Sequence, residues 1–103
     1  MSAHEMRIDY VGGIVPFQIW GAYADRYFYF RERHDNYTLT LGPPGSSDWE
    51  VDDVVADGEV VAAGHRDEIC HENAILTDEV GLAFCVGLLV RFFMNGEAPE
   101  VSD

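Results

Sequence analysis

Two neighbouring runs decide the fold of this chain: Arg26-Tyr-Phe-Tyr-Phe-Arg-Glu-Arg33 and Tyr37-Thr-Leu-Thr-Leu41. Side chains in a strand point alternately to the two faces of a sheet, and the second run alternates apolar residues with threonine without exception. We therefore expect Tyr37, Leu39 and Leu41 on the core face. The short link His34-Asp35-Asn36 requires the two strands to be antiparallel.

The residues on either side extend this pattern into a meander over residues 14–42. Upstream, Phe17-Gln-Ile-Trp-Gly-Ala-Tyr23 alternates in the same way and is followed by a turn at Ala24-Asp25. An earlier strand, Arg7 to Val11, ends at Gly12-Gly13 and can add to the sheet edge. The prolines and glycines of Gly42-Pro-Pro-Gly-Ser-Ser47 predict a loop, because they cannot continue a strand ladder.

Two further elements are predicted downstream. Asp57-Gly58 is a favoured two-residue hairpin turn, so Val51 to Ala56 and Glu59 to Ala63 are predicted to form a second hairpin. Thr77 is a helix cap and Asn95-Gly96 a stop, which predicts a helix from Asp78 to Met94. The sequence therefore predicts one α+β domain over residues 1–103. It consists of an antiparallel sheet of four to six strands packed against one long C-terminal helix.

The predicted helix is apolar nearly all round, since Arg91 is the only polar residue between Val80 and Met94. It is too short to cross a membrane, so no membrane partner is expected. The apolar surface of this helix that does not face the sheet must also be covered. The acidic hairpin, a second copy of the chain or another partner could cover it. A homodimer through the helix Val80 to Met94 is one prediction, with a seam at helical spacing formed by Gly81, Cys85, Leu88 and Phe92.

Charge is the strongest functional signal. The chain has no lysine and a net charge of −13; residues 48–103 carry fourteen acids and two arginines, a net of −12. Such a surface favours a basic protein partner and disfavours direct nucleic-acid binding, because phosphate contacts need cations. An alternative is that a GC-rich or salt-adapted host makes all its proteins acidic. The predicted partner-binding residues are Asp48, Trp49, Glu50, Asp52, Asp53, Asp57, Glu59, Asp67 and Glu68.

Other functional patterns are incomplete. The spacing of Asp48, Glu50, Asp52 and Glu59 matches ligand positions of a calcium-binding loop. However, the position that needs glycine for the sharp turn is occupied by Asp53. His65, Cys70 and His71 lack the paired ligand spacing of a zinc site. A Cys70 nucleophile with His65 or His71 as its base is supported only by their closeness in sequence, which does not establish the required hydrogen-bond geometry. No metal, cofactor or enzymatic activity is therefore expected. With two cysteines and no apolar leader, we expect a cytoplasmic protein without disulfides.

One strand offers a different kind of site. Tyr27, Tyr29 and Arg31 share a strand face, and with Tyr37 they are the candidate residues for binding a small ligand. Phe28, Phe30 and Glu32 share the opposite face. Most of these aromatic residues are expected to pack in the core, which leaves Tyr29 and Arg31 at the surface.

The C-terminal third, Glu72 to Val101, resembles the closing segment of small acidic immunity proteins from bacterial polymorphic-toxin systems. In both, a loop leads into a helix that ends in an aromatic residue, and the helix is followed by a Gly-Glu-x-Pro-x-Val pattern, here Gly96-Glu-Ala-Pro-Glu-Val101. The segment Tyr27-Phe-Tyr-Phe-Arg-Glu-Arg33 resembles strands of short actinobacterial and phage proteins. The resemblance implies a stoichiometric inhibitor of a nuclease toxin or defence effector. A phage-encoded nucleic-acid mimic, a small-ligand binder and a structural homo-oligomer are the alternatives.

Overall fold

The computed structural model describes residues 5–14, 16–70 and 76–96. Its elements in chain order are β1 Met6–Gly12, β2 Phe17–Tyr23, β3 Arg26–Arg33, β4 Asn36–Leu41, α1 Val51–Asp57, β5 Glu59–His65 and α2 Asp78–Arg91. A 3₁₀ turn, Arg66–Glu68, follows β5, and a π-helical turn, Phe92–Gly96, continues α2. The five strands form one antiparallel sheet in the order β1-β2-β3-β4-β5, which confirms the predicted α+β fold.

Two-residue turns join the three central strands. Tyr23 pairs with Arg26 and Arg33 pairs with Asn36, so Ala24-Asp25 and His34-Asp35 are the complete loops. All four loop residues have positive φ, between 52° and 69°. Turns with two positive φ angles match the twist of paired strands, which offsets the cost of this conformation in non-glycine residues. The predicted meander is confirmed.

The predicted alternation places the main core on one face of the sheet. Phe17, Ile19, Phe28, Phe30 and Leu39 are fully buried there. Helix α2 covers this face and contributes Cys85, Leu88 and Leu89 to the same cluster. Glu32 shares the face as expected, and lies buried with its Oε2 3.8 Å from Nε of Arg66.

Helix α2 begins as predicted, since Oγ1 of Thr77 accepts a hydrogen bond from the backbone N–H of Val80 at 3.2 Å. The predicted seam, however, is wrong. Gly81, Cys85 and Leu88 are buried in the chain's own core, and Gly81 lies against Phe17. A homodimer through the remaining surface of this helix stays a prediction.

The predicted second hairpin is also wrong, because Val51–Asp57 is the helix α1. The backbone N–H of Gly58 donates to the carbonyl of Val54 at 2.8 Å and ends the helix, and φ of Gly58 is −80° rather than positive. Of the two strands predicted for this hairpin, only the second is a strand in the structure. It is β5, which joins the sheet beside β4. Helix α1 covers part of the second sheet face, which explains why Thr40, predicted to point outward, is only 9% exposed.

Candidate docking surface

The acidic segment is held in place by helix α1. The carboxylate of Asp53 accepts a hydrogen bond from the backbone N–H of Glu50 at 3.0 Å, and so caps the helix. On the opposite side of the helix Val54 is fully buried against Ala22 and Tyr27. Burial of one side directs Asp52, Asp53 and Asp57 to the exposed sides of the helix. The acids therefore lie on an ordered helix.

Several hydrogen bonds tie the loop before α1 to the sheet and to its Asp25 turn. Oγ of Ser46 accepts a hydrogen bond from the backbone N–H of Tyr27 at 3.0 Å, and Ser46 is buried. Arg7 donates from Nη2 to the carbonyl of Ser47 at 3.0 Å. These bonds fix the chain just before Asp48 and Trp49, and the indole packs partly buried beside α1.

Arg7 is already paired with another carboxylate. Its Nε and Nη2 donate to the two oxygens of Asp9 at 2.8 and 3.1 Å. These hydrogen bonds raise the pKa of Arg7 and lower that of Asp9. Asp9 lies at a bulge of β1 and also accepts a hydrogen bond from the hydroxyl of Tyr27 at 3.2 Å.

The predicted acids of this region form an unpaired group, which we call the α1 carboxylates. All are exposed, and among residues 5–14, 16–70 and 76–96 none takes part in an ion pair. The group consists of Asp48, Glu50, Asp52, Asp53, Asp57 and Glu59. Apart from the attraction between Asp48 and Arg7, this concentration of negative charge produces a local field that attracts a cationic surface.

The other two predicted acids lie elsewhere. Strand β5 separates them from α1 by seven residues, roughly 20 Å. Asp67 is exposed and its Oδ2 lies 3.4 Å from Nδ1 of His65. Glu68 accepts a hydrogen bond from the hydroxyl of Tyr37 at 2.6 Å, which lowers the pKa of the carboxyl. The nine predicted partner-binding residues therefore form two separate groups, of which the α1 group with Trp49 is the larger.

The four predicted ligand-binding residues are divided between the two faces of the sheet. Tyr37 is only 4% exposed and lies on the α2 side, and Tyr27 is buried beneath α1. Burial is the main cause that raises the pKa of both phenols to about 12. Tyr29 and Arg31 are half-buried on the α1 side, so these two remain at the surface as predicted.

Sequence reasoning missed an apolar row on this same face, which we call the central row. The strand register places Tyr10, Trp20, Tyr29, Thr40 and Val60 side by side across all five strands. The rings of Tyr10 and Trp20 stack with centroids 4.4 Å apart, and Trp20 and Tyr29 are tilted at 6.1 Å. The sequence alternation placed Trp20 on the face away from the main core, which was the one available signal for this row. The register between the strands could not be read from the sequence.

The described residues contain no candidate metal centre. Within the part of the chain that the structure describes, no three His, Cys, Asp or Glu side chains are placed to hold a metal ion. The segment with the calcium-loop spacing forms helix α1 and its flanks instead of a calcium-binding loop. In the His65–Cys70–His71 cluster, His71 lies outside the described residues. A cleft of about 550 Å³ lies between β1 and the Asp25 turn, and Arg7, which lines it, is hydrogen-bonded to Asp9.

Among the described helices, none combines the length and apolar character needed to cross a bilayer. No protein-family model, curated protein or solved structure matches this chain. The Gly96-Glu-Ala-Pro-Glu-Val101 pattern, which carries the resemblance to immunity proteins, falls almost wholly outside the described residues.

Proposed function

We propose that this protein is a stoichiometric inhibitor that docks the α1 carboxylates onto a basic protein surface. The observation that carries the proposal is that these six acids are exposed, lie on an anchored helix and its flanks, and pair with no described cation. Asp53 contributes to the protein's own stability by capping α1, but none of the six charges is neutralised in an ion pair with a described residue. Left unpaired on an ordered element, they are available to a partner.

The apolar residues beside the carboxylates support a protein partner. Val55 is 59% exposed on α1, and Trp49, two residues before the helix begins, is half-buried. Aromatic and aliphatic anchors surrounded by charge are the usual anatomy of a protein interface. Charge then sets the encounter rate and the specificity, while the anchors supply burial.

Asp57 gives a second, independent argument. It is the last residue of α1, and the last turn contains no basic residue. The carboxyl end of a helix carries a partial negative charge, so an aspartate there costs a few tenths of a kcal/mol at an exposed site. A charge that lowers local stability and forms no ion pair with a described residue is consistent with a role in binding.

The partner class follows from charge. A surface of carboxylates substitutes for the phosphates of a nucleic acid, so its target is the basic cleft of a nuclease toxin or of a nucleic-acid-binding defence effector. The resemblance to immunity proteins agrees with the toxin version, and a phage-encoded mimic uses the same physics on a host effector. Cys70 and Cys85 are both free thiols, which is consistent with the reducing cytoplasm as its location.

The test is capture from the native host with three baits that differ in charge. The baits are the wild type, Asp52→Lys with Asp57→Lys, and the control Glu5→Lys with Glu79→Lys. Both variants change the net charge by +4, but only the first changes the α1 carboxylates, and Asp53 keeps its capping role in both.

We expect the wild type and the control to retain a basic protein whose nucleic-acid-directed activity is lost at one equivalent of inhibitor. The α1 variant should neither retain nor inhibit it. Equal capture by all three baits would show that the acidity acts only as bulk charge, as in a host-wide adaptation. A captured protein that keeps full activity would contradict inhibition.

A further inference from the structure

The central row is the most exposed apolar feature of the second sheet face. Its two ends, Tyr10 and Val60, are 42% and 57% exposed, although both lie in strands. Val55 adds a third exposed apolar side chain on the neighbouring helix α1. Trp20 and Tyr29 are half-buried and Thr40 lies beneath the end of α1, so the accessible apolar area is at the two ends of the row and on Val55. Exposed apolar side chains grouped on one face are typical of an interaction surface.

On one side of the central row lies acidic helix α1. The helix packs over Tyr27, two residues before Tyr29 on β3, and Val54 contacts the cluster that includes Trp20 and Tyr29. It therefore forms a step about 10 Å high along one half of the sheet face. The exposed sides of this step carry the α1 carboxylates.

On the other side of the row the face is lower and basic. Arg31 and Arg33 follow Tyr29 by two and four residues on β3, roughly 7 and 13 Å away, and share its face. They surround a depression of about 180 Å³ together with His34, Asn36 and Thr38. In the described part of this acidic chain, neither guanidinium forms an ion pair or hydrogen bond.

We propose that this face binds a second copy of the chain, in a twofold dimer whose axis runs along the central row. Rotation about that axis exchanges the two halves of the face. The raised acidic helix of one copy then lies in the arginine-lined depression of the other, and the reverse contact forms at the same time. At the axis the exposed ends of the central row, Tyr10 and Val60, each meet their own counterpart.

Charge complementarity identifies the occupant as a second copy. The acidic step and the arginine depression lie on opposite sides of one apolar row, which is the self-complementary arrangement that a twofold interface requires. The net charge of −13 on each chain opposes association, but charges further apart than about 8 Å are screened at physiological salt. The close contacts between arginines and carboxylates, made twice, are screened much less.

This inference does not rest on the proposed function, but the two are connected. The dimer uses the same α1 carboxylates that we assign to the basic partner, so dimerisation and partner binding exclude each other. Substitution of the arginines should abolish the dimer and leave partner capture intact. The two proposals can therefore fail separately.

The test is sedimentation equilibrium at about 0.15 M salt, where screening removes long-range repulsion. The proteins are the wild type, variant A (Asp52→Arg with Asp57→Arg), variant B (Arg31→Glu with Arg33→Glu) and the control Glu5→Arg with Glu79→Arg. We expect the wild type and the control to dimerise, and A and B each to dimerise at least tenfold more weakly. An equimolar mixture of A and B should dimerise again, because each acidic surface then faces a basic one.

A wild type that stays monomeric at high micromolar concentration would overturn the proposal. So would a dimer that forms equally well in A and B, since its interface, for example the outer surface of α2, would lie elsewhere. If circular dichroism shows that B does not fold, Arg31→Gln with Arg33→Gln replaces it and should weaken the dimer in the same direction.

Discussion

Gly81 of α2 lies directly against the ring of Phe17 in β2. A Cβ atom built on Gly81 would overlap the ring, and Phe17 is itself buried against Phe30 in the core. The first turn of α2 therefore lies on the sheet at the closest approach that a backbone allows. This contact sets the height of the helix above the sheet.

Replacement of Gly81 by alanine should destabilise the fold by about 1–3 kcal/mol, because the added methyl group must displace a buried ring. Gly87 in the same helix is the matched control, since an added Cβ there meets nothing within 4 Å. Gly87→Ala should stabilise the protein by about 0.5–1 kcal/mol through helix propensity. Urea unfolding of both variants measures the difference. Two changes of the same sign would refute the close packing of Gly81.

Alkaline pH should destabilise the protein through its buried phenols and thiol. The pKa values of Tyr27 and Tyr37 are raised to about 12 from 10.0, and burial raises that of Cys85 to about 12 from 9.0. The folded state thus holds protons more tightly, so this contribution to stability is complete below pH 9 and is lost as pH rises toward 12. The chain has no lysine to obscure the effect.

The substitution Tyr37→Phe isolates the contribution of one of these groups to the pH dependence of stability. Loss of its hydrogen bond to Glu68 should cost about 1 kcal/mol near pH 7, and the free energy of unfolding should then fall less steeply with pH than in the wild type. Urea titrations at a series of pH values give both numbers. An unchanged slope would mean that Tyr37 is not among the groups that titrate differently in the two states.

Asp57→Asn should raise the free energy of unfolding by a few tenths of a kcal/mol, because it removes a negative charge from the carboxyl end of α1. Asp53→Asn is the comparison, since that carboxylate caps the amino end and its change should be destabilising. Thermal unfolding of both variants provides the measurement. A loss of stability in Asp57→Asn would remove this argument for a binding role of Asp57.

Chelation should leave the thermal midpoint unchanged, because the main core is formed by apolar side chains such as Phe28, Phe30 and Leu89. A structural metal contributes folding energy directly, so its removal would lower the midpoint strongly. A fall with EDTA that zinc reverses would instead assign a ligand role to His65 and Cys70.

The meander was readable from sequence because its two-residue turns and its period of two agree with each other. Helix α1 was not, because Asp57-Gly58 between valine-rich runs is a strong hairpin signal. Two contacts decide otherwise: Asp53 caps the helix locally, and Val54 is buried against Ala22 and Tyr27 from distant strands. The burial of Val54 is a tertiary contact, which overrides local propensity and is invisible in a single sequence.

The candidate site was predictable only in part, for a related reason. The density of acids is a property of composition, so Asp48 to Glu59 could be named in advance. The central row depends on the register of five strands, which includes a bulge at Asp9 and an irregularity between Leu39 and Thr40. Tyr10 and Val60 come together across the sheet only once those shifts are known.

The most direct test of the central claim is the association rate with the captured basic partner, measured at low and at high salt. The variant Asp52→Lys with Asp57→Lys is compared with the wild type and with Glu5→Lys, Glu79→Lys. We expect the α1 variant to associate several-fold more slowly at low salt, with a smaller difference at high salt, because screening shortens the reach of the field. Equal association rates for all three proteins at low salt would contradict a docking role for the α1 carboxylates.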